Sequence, residues 1–260
     1  MRLLTVDIGN TAVKGSVFDN ETLLGTALAE NRTVAELLPL IAAHNPQGAI
    51  CCSVGSDADR ITAELQKATG LKVMSLDHST PLPIAICYRT PNTLGLDRVA
   101  AAVGAASVSQ KALVVDAGTA VTLDLVAERR FLGGNISPGL RLRFRSLHCF
   151  TSRLPLVNPN GELPDFGFDT ETALRSGVVN GIVDEIESTW RRASGEHAGI
   201  RLLLTGGDAD FLAPLLVKRG LNPEIVHSLV GNGLVEIYKY NMTPSDSSIY
   251  IGEAGSCNNI

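Results

Sequence analysis

One short pattern occurs twice in this chain, and few folds accommodate that. LTVDIGN at residues 4–10 and LVVDAGT at 113–119 align at an offset of 109. Leu4 matches Leu113, Val6 matches Val115, Asp7 matches Asp116 and Gly9 matches Gly118. Each copy is an apolar run short enough for a buried strand, followed by a carboxylate and a glycine that marks a tight turn. Either copy alone reads equally well as a hairpin with a polar turn. Two copies imply two related subdomains, with two carboxylates on equivalent turns that can face one cleft. A strand, an Asp and a small-residue turn suit phosphate. Backbone N–H groups can point at its oxygens, a hydroxyl can add a donor, and the carboxylate can hold a cation or its water shell.

The rest of the chain is compatible with such a pair. Its 260 residues are 45% apolar, enough for full cores in two subdomains. The formal net charge of −5 leaves no basic block to neutralise a nucleic acid backbone. The five cysteines, at 51, 52, 87, 149 and 257, follow neither a zinc spacing nor a disulfide framework. There is no signal-like start and no apolar run of membrane-spanning length, so a soluble, cytoplasmic protein with no membrane partner is expected.

Residues 1–28 read as a three-stranded meander, followed by a helix over 34–44 with Thr33 as its cap. A strand over 48–54, a helix over 57–69 and a strand over 71–76 complete an α/β subdomain. PNTLGLDR at 91–98 leads into a helix rich in Ala and Gly, which predicts close packing against a neighbour. After the second strand–Asp–turn, GGNISPG at 133–139 reads as a sharp loop at a cleft wall. Arg141, Arg143 and Arg145 form a solvated or interface face, and Glu185 and Glu187 read as solvated. Helices are expected over 140–150, from Thr170 to Trp190 and over 211–219. A strand over 200–204 feeds TGGD at 205–208, a candidate nucleotide seat, and residues 225–238 close the fold. The resulting division is 1–110, 111–240 and a polar tail over 241–260 that is expected to be loose.

The chemistry concentrates in Asp97 and Arg98. Arg98 can grip a carboxylate bidentately, and Asp97 can accept a proton from a hydroxyl nucleophile. A helix-start Asp beside a surface Arg is the plainer alternative. Phosphoryl transfer also needs charge neutralisation, which Lys14, the turn amides and a cation near Asp7 or Asp116 can supply. No GxxxxGK[ST] is present, so the chain is not a P-loop enzyme.

Taken in order, the blocks DIGNTAVK (7–14), Tyr88 with PNTLGLDR, DAGTAVT (116–122), GGNISPG, SRLP (152–155), GFDT (167–170), LRSG (174–177) and TGGD resemble the type III pantothenate kinases. The resemblance implies an α/β fold of two ribonuclease H-like, actin-like ATPase subdomains with the ligand cleft between them. It implies that Asp7, Ile8, Gly9, Asn10, Thr11, Ala12, Val13 and Lys14 bind the ATP phosphates, and that Thr119 contacts ATP. Asp97 is implied as general base. Tyr88, Gly95, Leu96, Asp97 and Arg98 are implied to hold pantothenate, with Arg98 on its carboxylate. Asp116 is implied to bind K⁺ or NH₄⁺, and Mg²⁺ to accompany the nucleotide near Asp7. The family is homodimeric, with Thr170 reaching the partner subunit's pantothenate pocket. Phe168 and Asp169 depart from the family pattern, which often has Lys followed by Asn or Ser there. A kinase for another small hydroxy acid and a non-catalytic nucleotide-binding accessory protein are the alternatives.

Overall fold

The computed structural model describes residues 1–53 and 58–243. The chain divides into two units. Unit 1 comprises Met1–Gln110, Val126–Gly133 and the residues from Ser228; unit 2 comprises Lys111–Leu125 and Gly134–His227.

In unit 1 the sequence alternation of the first strand sets the layers. β1 (Arg2–Ile8) lies at the centre of a five-stranded sheet of order β3-β2-β1-β4-β5, with β2 Val13–Asp19, β3 Thr22–Ala29, β4 Gly48–Ser53 and β5 Val73–Ser75. β1 pairs antiparallel with β2 and parallel with β4. Successive side chains of a strand point to opposite faces. Leu4, Val6 and Ile8 therefore share one core with Leu37, Ile61 and Leu65. Leu37 lies in a 3₁₀ turn ahead of α1 (Leu38–His44), and Ile61 and Leu65 lie on α2 (Ala58–Thr69). Thr33 makes no side-chain cap bond there, because its Oγ1 donates instead to Glu36 at 2.7 Å.

The other face of the sheet is covered by a helix pair. α3 (Leu96–Val108) packs along α7 (Leu229–Met242), and glycine sets their separation. A Cβ at Gly233 would lie 1.8 Å from the Ala100 carbonyl oxygen, and one at Gly104 would lie 2.3 Å from that of Leu229. The Ala- and Gly-rich helix thus packs closely, as expected from its composition. Its partner corrects the expected division at 111–240. α7 groups with unit 1, where Gly233 and Gly104 let it lie close against α3.

Unit 2 repeats the plan. Its sheet has the order β11-β10-β7-β8-β9-β6, so β9-β8-β7-β10-β11 reproduces the sequence β3-β2-β1-β4-β5 of unit 1. Here β7 is Lys111–Ala117, β8 Ala120–Ala127, β9 Arg130–Pro138, β10 Arg201–Thr205 and β11 Pro223–Ile225. The tip of the β8–β9 hairpin is part of unit 1, where β6 (Ala85–Ile86) pairs parallel with Arg130 and Phe131. α4 (Leu140–Cys149), the long α5 (Thr170–Glu196) and α6 (Ala209–Lys218) supply the core residues Leu140, Phe144, Val179, Ile182, Ile186, Leu212 and Leu216.

Three expectations change in unit 2. GGNISPG is not a loop: β9 runs through Gly133 and Gly134 to Pro138, and Gly133 adopts a φ of +147° that a side chain would resist. Arg143 is half-buried and pairs with Glu185, with its Nε donating to the Pro138 carbonyl at 2.8 Å, while Arg141 and Arg145 are exposed as expected. Glu187 likewise has partners, accepting from Arg191 and lying 3.6 Å from Arg219. The tail beyond Thr243 lies outside the described residues.

Candidate active site

Asp7 stands at the end of the central strand, opposite Lys14 on β2 and Cys52 on β4 in register. It shares a face with Thr5, the face that α3 and α7 cover. The Cys52 thiol donates to Asp7 Oδ1 at 3.6 Å. Burial, and after it the neighbouring Asp97 carboxylate, push the Asp7 carboxyl up to about 6 against the lowering influences of Cys52 and Lys14. The same burial, followed by the charges of Asp7 and Asp97, drives the Cys52 thiol well above its usual range, so it is a neutral donor. Two carboxylates close together in a poorly solvated place favour a cation or a proton.

Asp97 reaches this place because α3 begins there. Gly95 is the N-cap, Leu96 opens the helix, and the Arg98 N–H donates to Asp97 Oδ1 at 2.8 Å. Burial raises the Asp97 carboxyl above the ordinary range, and the Arg98 N–H and guanidinium oppose that. A Cβ at Gly95 would lie 2.5 Å from Asp97 Oδ1, so glycine leaves room for the carboxylate. One residue on, Arg98 is 6% exposed, with its guanidinium 5.5 Å from the Phe131 ring centre and 6.0 Å from that of Tyr88. The two rings meet edge to face at 5.9 Å. This aromatic corner fixes a cation at the entrance of α3.

The first turn closes with the Gly9 N–H donating to Ala12 O at 3.1 Å. Ile8 and Val13, which flank it, are buried in the core, so only their main chain can serve a ligand. Asn10 and Thr11 are exposed at its tip.

Unit 2 holds the corresponding turn. The Gly118 N–H donates to Ala120 O at 2.9 Å, and Thr119 is exposed. Asp116 lies beside Thr205 in register. TGGD wraps this strand end: Gly206, at a φ of +92°, leaves room for Ala117 O and Asp116 Oδ1, at 2.4 and 2.5 Å from where its Cβ would stand. The Asp208 N–H donates to Ala117 O at 2.9 Å. Burial raises the Asp208 carboxyl, opposed by the charge of Arg141. Gly139 seals the turn from the other side, with its N–H on Thr119 O at 3.0 Å and no room for a side chain beside Gly118 O.

Thr170 is placed apart from this turn, exposed at the start of α5. It lines an apolar groove of about 550 Å³ with Arg143, Leu147, Leu154, Ala173 and Leu174. The departure at residue 169 has a structural role. Asp169 is the N-cap of α5, accepting from the Thr172 N–H at 2.8 Å in a capping box, and those bonds hold its carboxyl below the usual range.

The structure therefore brings Asp7, Lys14 and Asp97 together, and Tyr88 with Arg98, in unit 1. Asp116 and Thr119 belong to a second turn in unit 2. Sequence reasoning missed Cys52, Phe131 and Arg32, the last donating to the Asn10 carbonyl at 2.8 Å, and it read Gly139 only as the end of the GGNISPG loop. The offset of 109 offers a signal for one contact, since Thr119, whose carbonyl Gly139 holds, is the counterpart of Asn10.

A sequence family described as type III pantothenate kinase matches residues 3–192. This chain belongs to that family. A type III pantothenate kinase from Bacteroides fragilis is 39% identical over 241 residues, spanning 92% of this chain and 98% of the relative. Among solved structures, a candidate Baf family transcriptional activator from Campylobacter jejuni superposes with a TM-score of 0.62 at 24% identity, covering 92% of this chain and 98% of that one. A candidate N-acetylmannosamine kinase from Listeria monocytogenes does so with a TM-score of 0.55 at 15% identity, covering 94% and 100%. At those identities the likeness concerns the fold, which is that of the actin-like ATPases with two mixed sheets.

Proposed function

We infer that this type III pantothenate kinase transfers the γ-phosphoryl group of ATP to the 4′-hydroxyl of pantothenate, the first step toward coenzyme A. The observation that carries the residue roles is the start of α3. It sets a carboxylate beside Asp7 and, one residue on, a buried guanidinium against Tyr88 and Phe131. In this reading Arg98 takes the pantothenate carboxylate, and Tyr88, Gly95 and Leu96 line that end of the substrate. Asp97 accepts the hydroxyl proton as the new O–P bond forms and the bond from the γ-phosphorus to ADP breaks. Its raised basicity favours proton acceptance.

Residues 7–14 and Thr119 serve the nucleotide, with main-chain donors meeting phosphate oxygens. Among the described residues no group of three or more His, Cys, Asp or Glu could hold a metal ion. That fits Mg²⁺, which keeps several waters and takes one or two carboxylates plus substrate phosphates, with Asp7 as the protein's contribution. It supplies charge neutralisation on the phosphates. Asp116 is proposed as the ligand of K⁺ or NH₄⁺.

The enzyme is proposed to be a cytoplasmic homodimer, with Thr170 completing the partner subunit's pocket. No helix among the described residues is long and apolar enough to cross a membrane. Phe150, Phe166 and Phe168, at 89%, 90% and 68% exposed, support self-association through the α4–α5 side of unit 2. Sedimentation at micromolar concentration is expected to give twice the chain mass, and a monomer sinks the shared pocket.

Coupled measurement of ADP tests the activity. ADP is expected to form only with pantothenate present, and faster in potassium than in sodium. Nucleotide binding without turnover overturns the kinase reading, and equal rates in both salts overturn the cation assignment.

A further inference from the structure

Arg32 leaves the end of β3 and reaches back to the first turn. Its Nη1 donates to both the Gly9 and the Asn10 carbonyl oxygens, the latter at 2.8 Å. The geometry points to Arg32 as a positioning residue that aims the amide donors of the 9–12 turn at the nucleotide phosphates. This rests on the phosphate-binding reading of that turn given above.

A trans peptide is planar, so its carbonyl and N–H point in opposite directions. The Gly9 carbonyl shares a peptide with the Asn10 N–H, and the Asn10 carbonyl shares one with the Thr11 N–H. By drawing both carbonyls toward itself, Arg32 turns both N–H groups to the opposite side of the turn. The Gly9 N–H is already committed to Ala12 O. Asn10 and Thr11 are therefore the donors whose direction is set by Arg32. Exposed turn peptides flip readily, and an anion site built on them gains from donors that are oriented before the ligand arrives.

Two further observations bear on this. Arg32 itself sits at a φ of +57°, a left-handed conformation that a non-glycine residue adopts at a cost. Its N–H donates to Ala29 O at 3.2 Å, and Glu36 fastens the same bend by accepting from the Asn31 N–H at 3.4 Å and from Thr33 Oγ1. A bend held by neighbours on both sides at an unfavourable dihedral puts the guanidinium where it is. In addition, the equivalent carbonyl in unit 2, that of Thr119, is also held, there by the Gly139 N–H. The same peptide is pinned in both copies of the turn by unrelated means.

Arg32→Gly separates this role from a structural one. Glycine accepts the φ of +57°, so the melting temperature is expected to hold or rise. The KM for ATP should increase about tenfold, as for loss of a charge-assisted hydrogen-bond pair, with the KM for pantothenate unchanged. Arg32→Lys keeps the charge without the planar fork and should fall between the two. Titration of a non-hydrolysable ATP analogue into wild type and both variants reads the same effect without turnover. It therefore judges Arg32 even if pantothenate proves not to be the acceptor. An unchanged analogue affinity in Arg32→Gly, or an equal rise in both KM values with a lowered melting temperature, overturns the inference.

Discussion

Asp97→Asn is expected to lose about a thousandfold in turnover, the scale of a positioned general base, while still binding pantothenate. Asparagine is nearly the same size, and its Oδ1 can still accept from the Arg98 N–H that opens α3. The melting temperature should therefore stay close to that of wild type. The pH profile separates this from simple disruption. Burial raises the Asp97 carboxyl, so the wild-type rate should fall as pH drops through a point above the ordinary carboxylate range. The part of that limb that reports protonation of Asp97 should vanish in the variant, leaving the fall that protonation of Asp7 near 6 produces. A variant that turns over at the wild-type rate, with the same acidic limb, shows that another group takes the proton.

Asp7→Asn should move activity and stability in opposite directions. The Asp7 carboxyl sits near 6 in the folded protein against an ordinary value of 3.8. Between these values the folded state holds a proton that the unfolded chain has released. Stability from this group is present at low pH and is lost as pH rises through about 6. At pH 7.5 the ionised carboxylate costs on the order of 3 kcal/mol, which the neutral amide removes. The ligand-free variant is expected to melt roughly 8 °C higher, since each kcal/mol corresponds to a few degrees in a protein of this size. Its turnover should drop at least about a hundredfold, because a carboxylate that disfavours its own charge when empty is what a divalent cation relieves. Melting scans at pH 5 and 7.5, with and without Mg²⁺ and ATP, check both halves. A variant less stable than wild type at pH 7.5 and fully active contradicts the assignment of Asp7 to the cation.

Much of this was legible because it is written locally. Strand, carboxylate and glycine lie within a few residues, so Asp7 and Asp116 announce themselves, and the matching sheet orders follow from the repeat. Asp97 was readable locally as the start of a helix, but the roles of Asp97 and Arg98 came from the resemblance, and the burial of Arg98 was not visible in its neighbours. What escaped depends on distance along the chain. Arg32 meets its turn across more than twenty residues, and nothing around Asn31 and Thr33 marks it. Phe131 reaches Arg98 through the tip of a hairpin that belongs to the other half of the sequence. GGNISPG misled because paired glycines usually punctuate loops, whereas here Gly133 lets a strand continue at a dihedral few residues accept. Thr33 had cap chemistry available, but Glu36 claimed its hydroxyl.

The unequal bracing of the twin turns has an evolutionary side. Copy one is held by a long side chain, so a single codon change at position 32 can retune its grip while the backbone survives. Copy two is held by main chain against main chain, at a glycine with no room for even a methyl group, and offers no such dial. The twin turns are thereby left one adjustable and one frozen, and any change in affinity for the proposed nucleotide is expected to enter through the first.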